Sequence, residues 1–187
     1  MIDTLLKQMP NFTKPMMFDK QNLYTKEYFV MTMHRPANVD ETKKLREFLN
    51  TIEENVNGLP VIFPVHPRTA NVLKDTGMTF NLIHPVAPMS YLEFNYLVKN
   101  AKCVITDSGG ITEEATFMGV PCMTLRDNTE RPETVTQGTN VLIGTNPQKL
   151  IPAFKRLFDG HWKKGTIPHL WDGKTASRIV NHLLALS

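Results

Sequence analysis

The chain has 187 residues, 41% of them hydrophobic and 21% charged, so it is long enough for one well-buried domain and short for two. Its formal net charge is +3, and its basic residues form neither a cluster nor a run interleaved with aromatics, which argues against nucleic-acid binding. No apolar stretch approaches the roughly 18 residues of a membrane span, and the first residues lack a signal-peptide pattern.

The two cysteines, Cys103 and Cys122, fall in apolar segments that we predict to be buried strands. We interpret them as reduced core thiols of a cytoplasmic protein rather than as a disulfide or a metal pair. The histidines have no metal-ligand spacing, so we expect no metal site.

Residues 1–27 do not fit the pattern of the rest of the chain. We interpret them as a linker or junction segment that packs against something else, with Met16, Met17 and Phe18 as candidates for exposure. We assign residues 28–187 to one domain.

From residue 28 onward, short apolar runs alternate with amphipathic helical patterns. We predict six strands over 28–33, 61–65, 80–83, 103–106, 122–125 and 140–143. A helix is predicted after the first strand, because five apolar residues there share one helical face: Leu45, Phe48, Leu49, Ile52 and Val56. Further helices are predicted over 69–75, 89–101, 110–118, 130–138, 147–159 and 175–186. This alternation predicts an α/β, Rossmann-like three-layer domain with a parallel sheet between helices. Pro64 predicts an early end to the second strand, because proline donates no ladder hydrogen bond.

A strand that turns through Ser108-Gly109-Gly110 into a helix is the most informative local feature. The first backbone N–H groups of a helix have no intrahelical partner, and glycine lets a ligand approach the backbone closely. With the positive end of the helix dipole, these donors favour phosphate binding. The ordinary alternatives are that Ser108 only caps the helix and that the two glycines only allow close packing.

Polar residues follow several of the predicted strands at one edge of the sheet. In a Rossmann-like strand order, the first and fourth strands are neighbours, and ligands bind where the strand order reverses. His34 follows the first strand, His66 the second and Arg126 the fifth, so all lie on the rim that holds the Ser-Gly-Gly turn. Alternatively, His34 is a simple loop residue, and Arg126 pairs with Asp127 or Glu130.

Glu114 lies one helical turn beyond Gly110 and therefore on the same face as the turn. Its carboxylate could accept hydrogen bonds from two ribose hydroxyls, or it could be an ordinary surface glutamate.

Four segments together resemble the non-hydrolysing UDP-N-acetylglucosamine 2-epimerases, and they are residues 33–40, 64–69, 107–115 and 125–133. The resemblance implies a glycosyltransferase-B-like architecture of two Rossmann-like domains with the active site between them. This chain resembles the C-terminal, UDP-binding half. The resemblance implies that an N-terminal domain, which is not in this sequence, supplies the acidic residues for proton transfer, and that the full enzyme is a homodimer.

The family resemblance also implies an activity that needs no cofactor. UDP-GlcNAc and UDP-ManNAc interconvert through elimination of UDP, a 2-acetamidoglucal intermediate and re-addition of UDP with inverted C2. His34 would assist the breaking and re-forming of the C1–O bond. The implied UDP contacts are Phe94 at the uracil, Glu114 at the ribose, and Ser108, Gly109, Gly110 and Arg126 at the diphosphate.

Several alternatives stay open at this point. Phe94 could equally be a core residue of its helix. The chain could belong to a hydrolysing epimerase, be a UDP-sugar-binding module without a reaction of its own, or be a glycosyltransferase donor domain.

Overall fold

Six parallel strands form one sheet in the computed structural model, which describes residues 1–186 apart from the side chain of Arg68. The strands are β1 (Phe29–Thr32), β2 (Val61–Pro64), β3 (Ile83–Val86), β4 (Cys103–Thr106), β5 (Cys122–Thr124) and β6 (Asn140–Leu142). Their spatial order is β3-β2-β1-β4-β5-β6, which confirms the Rossmann-like order. The final residue of the proposed domain, Ser187, lies outside the described residues.

Helices connect and flank the strands. They are α1 (Ile2–Gln8), α2 (Met16–Lys20), α3 (Pro36–Val39), α4 (Thr42–Asn55), α5 (Pro67–Thr76), α6 (Tyr91–Asn100), α7 (Gly109–Phe117), α8 (Pro132–Thr136), α9 (Leu150–Phe158) and α10 (Thr175–Leu184). Short 3₁₀ turns occupy Met9–Asn11 and Pro147–Lys149. A loop joins α9 to α10.

Two hydrophobic clusters lie on opposite faces of the sheet, as the alternation of side chains along a strand requires. Phe29 and Met31 of β1 belong to the first cluster, which contains the buried faces of α4 and α9. Val30, between them, belongs to the second cluster with residues of α6 and α7. The five predicted core positions of α4 and its C-terminal end are all fully buried. The result is the predicted three-layer arrangement.

The third strand lies three residues later than predicted. Asn81 and Leu82 were assigned to it, but their backbone N–H groups donate to the Glu53 carboxylate at 2.6 and 2.7 Å, which holds them in a loop. The strand proper contains Pro85, which is tolerated because β3 is an edge strand. Strand β2 ends at Pro64, as predicted.

The N-terminal residues pack against the domain. Phe18 is 6% exposed and makes edge-to-face contacts with Tyr28 and Tyr96, each with ring centroids 5.7 Å apart. The expectation that Phe18 is exposed is therefore wrong, because α2 turns this ring into an aromatic cluster that sequence periodicity does not reveal. Met16, on the same helix, is 78% exposed.

Cys103 and Cys122 are buried in adjacent strands and unpaired, which confirms that they are core thiols. Burial raises the pKa of the Cys122 thiol to about 12, so it stays protonated at neutral pH. Among residues 1–186, no helix has the length and apolar character needed to cross a membrane.

Replacing Phe18 with alanine should destabilise the chain by about 3 kcal/mol, because the truncation leaves a cavity among packed aromatic rings. Urea unfolding followed by circular dichroism measures this loss. Met16→Ala, a matched change on the same helix, should shift stability by less than about 0.5 kcal/mol. Equal unfolding midpoints for the two variants would show that α2 is not part of the folded domain.

Candidate functional site

The pairing of β1 with β4 brings two loops together at the carboxyl edge of the sheet. Thr32 and Thr106 are register partners at the ends of these strands, and their hydroxyl oxygens are 2.6 Å apart. The backbone N–H of Ser108 donates to Thr106 Oγ1 at 3.0 Å. The loop that begins with His34 therefore lies beside the turn that begins α7, at the topological switch point.

Ser108 occupies the N-cap position of α7, but its side chain makes no capping hydrogen bond. The Ser108 hydroxyl therefore does not cap the helix, which was the ordinary alternative to a binding role.

The two glycines of the turn differ in the space around them. A Cβ on Gly109 would lie 3.5 Å from Glu130 Oε2 and 3.6 Å from Arg126 Nη1, so the turn is open enough for an alanine. A Cβ on Gly110 would lie 2.7 Å from Met1 Cε, because the N-terminal residue covers that side of the turn.

Asp107, between β4 and the glycine turn, is fully buried. Its Oδ2 accepts backbone hydrogen bonds from His34 at 3.0 Å and Arg35 at 2.8 Å, and a side-chain bond from Asn38 at 3.2 Å. These bonds join the β1–α3 loop to the β4–α7 turn. In the sequence, Asp107 stands out only as part of the segment 107–115, and its position after a buried strand is the one signal that points to this role.

His34, His66 and Ser108, three residues of the rim expected from the sequence, line one cavity, whereas Arg126 is not among the residues that line it. The cavity has a volume of about 310 Å³ and is lined by Thr32, Met33, His34, Pro64, His66, Pro88, Ser108 and Ile111. The His34 side chain is half-exposed, and its Nδ1 lies 2.9 Å from Asp107 Oδ1. The side chain of Arg68, part of the segment around His66, lies outside the described part of the chain.

Arg126 lies beside the glycine turn but already has an anionic partner. Its two terminal nitrogens bond both carboxylate oxygens of Glu130, one of them at 2.7 Å, and Nη2 also reaches Asn128 Oδ1 at 3.3 Å. The hydrogen bonds from Arg126 lower the pKa of the exposed Glu130 carboxyl to about 2. Of the two carboxylates that the sequence offered as partners of Arg126, Asp127 and Glu130, the structure therefore shows Glu130.

Glu114 is 4% exposed, so it is not an ordinary surface glutamate. Its Oε1 accepts a hydrogen bond from the Tyr91 hydroxyl at 2.8 Å. Burial raises the pKa of the Glu114 carboxyl above its usual 4.5, although the hydrogen bonds it accepts act in the opposite direction. Tyr91, at the start of α6, was not identified from the sequence, because no local pattern links it to α7.

Phe94 is half-buried and packs against the second hydrophobic cluster. It is not among the residues that line the cavity of His34 and Ser108. No group of three potential metal ligands occurs among the described residues.

Replacing Glu114 with glutamine should raise stability at neutral pH, because the amide keeps an acceptor for Tyr91 and removes a buried charge. A raised folded-state pKa means that the wild-type chain loses stability as pH rises from 4.5 through that pKa. The gain of Glu114→Gln should therefore vanish below pH 4.5 and grow above it. Urea unfolding of both chains across this pH range provides the measurement.

Glu130→Gln is the contrasting variant, and it should lower stability at neutral pH where Glu114→Gln raises it. The lowered pKa of Glu130 means that its stabilisation is present above 4.5 and is lost as pH falls toward about 2. A Glu114→Gln variant that is less stable than wild type by the same margin at every pH would contradict the assignment of Glu114 as a costly buried carboxylate.

Comparisons with known proteins extend over nearly the whole chain. A family model described as UDP-N-acetylglucosamine 2-epimerase matches residues 1–184. The UDP-N-acetylglucosamine 2-epimerase of Methanocaldococcus jannaschii is 42% identical over 166 residues, which cover 84% of this chain and 44% of that protein. A UDP-2,3-diacetamido-2,3-dideoxy-D-glucuronate 2-epimerase of Pseudomonas aeruginosa is 34% identical over 166 residues, covering 85% of this chain and 45% of that protein.

A crystal structure of the Methanocaldococcus jannaschii epimerase in complex with UDP-GlcNAc and UDP is similar in fold. The TM-score is 0.79 at 37% identity, and the match covers 97% of this chain and 52% of that chain. The described fold corresponds to one half of a glycosyltransferase-B-like architecture, and the chain spans about half the length of the curated relatives it matches. The chain belongs to the UDP-N-acetylglucosamine 2-epimerase family.

Proposed function

We propose that this chain binds UDP and the diphosphate of UDP-GlcNAc, and that it forms the nucleotide-binding half of an epimerase that interconverts UDP-GlcNAc and UDP-ManNAc. The observation that carries the proposal is the β4–α7 turn, where Ser108 and Gly109 begin a helix at the switch point without a side-chain cap. Backbone N–H groups and the helix dipole at such a position favour a phosphate.

The proposed reaction needs this site because the leaving group is an anion. The C1–O bond of the sugar breaks with its electron pair remaining on the UDP oxygen, while a base removes the proton from C2 to give the 2-acetamidoglucal. The UDP oxygen then adds back to C1, and a proton returns to the opposite face of C2. Donors at the start of α7 stabilise the charge that develops on UDP, which lowers the barrier. His34, on the same cavity as Ser108, assists at the diphosphate.

We propose the remaining UDP contacts from the family resemblance, and the observed neighbours of two of these residues support them. Glu114, oriented by Tyr91, accepts the ribose hydroxyls, and Phe94 contacts the uracil. Arg126 is the second group for the diphosphate, since it lies beside Gly109. Because Arg126 already bonds Glu130, a diphosphate has to compete with that carboxylate.

The complete enzyme requires more than these residues. Relatives are about twice as long as this chain, so we place the acids for proton transfer on a second Rossmann-like half. A homodimeric assembly is part of the same proposal. A cytoplasmic location is supported by the unpaired, buried thiols of Cys103 and Cys122.

A second candidate differs only in the sugar. The Pseudomonas aeruginosa relative is named for a UDP-linked diacetamido-glucuronate rather than UDP-GlcNAc. A shared UDP site on this half is compatible with either sugar, so specificity for the sugar would reside in the other half.

In isothermal titration calorimetry, the chain should bind UDP, and Gly109→Ala should weaken binding by about tenfold or more, or roughly 1.4 kcal/mol. The fold tolerates this methyl group, whose nearest atoms would be 3.5 and 3.6 Å away, but a phosphate approaching the turn would meet it.

Ser177→Ala, on the exposed surface of α10, is the control and should leave UDP affinity unchanged. Unfolding curves should show that both variants are folded. Wild-type affinity in Gly109→Ala would mean that the diphosphate binds elsewhere.

Turnover provides a separate prediction. The 187-residue chain alone should not convert UDP-GlcNAc, and epimerisation should appear when the N-terminal half of a relative is supplied, as measured by NMR of the sugar products. Epimerisation by this chain alone would contradict the two-half proposal. Release of free ManNAc by the assembled halves would instead identify a hydrolysing epimerase.

A further inference from the structure

We propose that Asp107 is the positioning residue for His34: it keeps a proton on Nδ1, so that Nε2 is the ring nitrogen that meets the substrate diphosphate. This inference rests on the proposed function for its biological meaning. Its structural content, the tautomer of one histidine, can be measured without any ligand.

The orientation of the Asp107 carboxylate is fixed by its partners. Oδ2 accepts three N–H groups, from the backbones of His34 and Arg35 and from the side chain of Asn38, at 2.8 to 3.2 Å. Arg35 Nε also donates to the backbone carbonyl of Asp107 at 2.9 Å. The carboxylate therefore cannot rotate without breaking several bonds.

This fixed orientation leaves Oδ1 facing the His34 ring. Oδ1 is buried and has no hydrogen-bond partner among the described residues, and His34 Nδ1 lies 2.9 Å from it. A buried carboxylate oxygen without a donor is costly, so the available N–H should be on Nδ1. In the neutral ring, the second nitrogen then carries the lone pair.

The lone-pair or N–H directions of the two imidazole nitrogens diverge, so Nε2 does not face the Asp107 oxygen that Nδ1 faces. The His34 side chain is 48% exposed and lines the cavity that also contains Ser108. When the ring is cationic, Nε2–H can donate to a diphosphate oxygen while Asp107 balances the charge. When it is neutral, Nε2 can accept a proton. In both states Nδ1 keeps its own proton, so proton exchange takes place at Nε2.

Asp107→Asn separates this role from a purely structural one. The asparagine carbonyl can take the place of Oδ2 and keep the same three donors, so the loop and the fold should persist. Its amide nitrogen then takes the place of Oδ1 and presents N–H groups to His34 Nδ1. Nδ1 becomes an acceptor, and the neutral ring changes to the Nε2–H tautomer.

Long-range ¹H–¹⁵N NMR spectra of the uniformly labelled chain at alkaline pH report imidazole tautomers directly. Loss of one signal in His34→Gln assigns the ring. The wild-type chain should show the Nδ1–H tautomer at His34, and Asp107→Asn should show Nε2–H. Asp127→Asn is the control: this carboxylate accepts hydrogen bonds from Thr145, in the loop after β6, so His34 should keep the wild-type tautomer.

An Nε2–H tautomer in the wild-type chain, or an unchanged Nδ1–H tautomer in folded Asp107→Asn, would overturn the proposal. If Asp107→Asn does not fold, the wild-type spectrum decides by itself. Calorimetric titration of the same samples with UDP keeps the two claims apart. Absent UDP binding with an Nδ1–H tautomer contradicts only the proposed function, whereas UDP binding with an Nε2–H tautomer contradicts only the role of Asp107.

In the assembled enzyme, Asp107→Asn should lower kcat by roughly 10²- to 10⁴-fold with little change in KM, since the wrong tautomer presents no basic nitrogen to the cavity; the upper figure is that of the aspartate of the serine-protease triad. A rise in KM with unchanged kcat would contradict the proposal and indicate a structural role.

Discussion

The parallel pairing of β1 with β4 is the interaction on which the rest of the site depends. These strands align over four residue pairs, from Phe29 with Cys103 to Thr32 with Thr106, although more than seventy residues separate them in the chain. Because the chain winds outward in opposite directions from this pair, a gap opens at their carboxyl ends. The His34 loop and the start of α7 meet in that gap.

Two buried carboxylates show how the site affects the stability of the fold. Three N–H groups donate to Asp107 and offset the free-energy cost of its burial, and the same bonds join the two loops. Glu114 has the Tyr91 hydroxyl, yet burial still raises its pKa, so the charged form is disfavoured in the folded chain. Stability alone would favour a neutral side chain at this position, and the burial of this carboxyl group agrees with the binding role that we propose for it.

Much of this architecture could be predicted from the sequence, because it depends on local patterns. Apolar runs and helical periodicity predicted the six strands and their order, and the Ser-Gly-Gly turn predicted the start of α7. The errors arise where distant contacts decide. Glu53 draws residues 81 and 82 out of the third strand, and two tyrosines bury Phe18. The pairs Asp107–His34 and Tyr91–Glu114 join separate elements and carry no local signal.

The central claim is that the N–H groups at the start of α7 hold the diphosphate of a uridine nucleotide. Backbone amide NMR of the labelled chain during titration with UDP tests it most directly. We expect the largest shift changes at Ser108, Gly109 and Gly110, with accompanying changes around His34. Saturating shifts confined to another surface, with these amides unmoved, would contradict it.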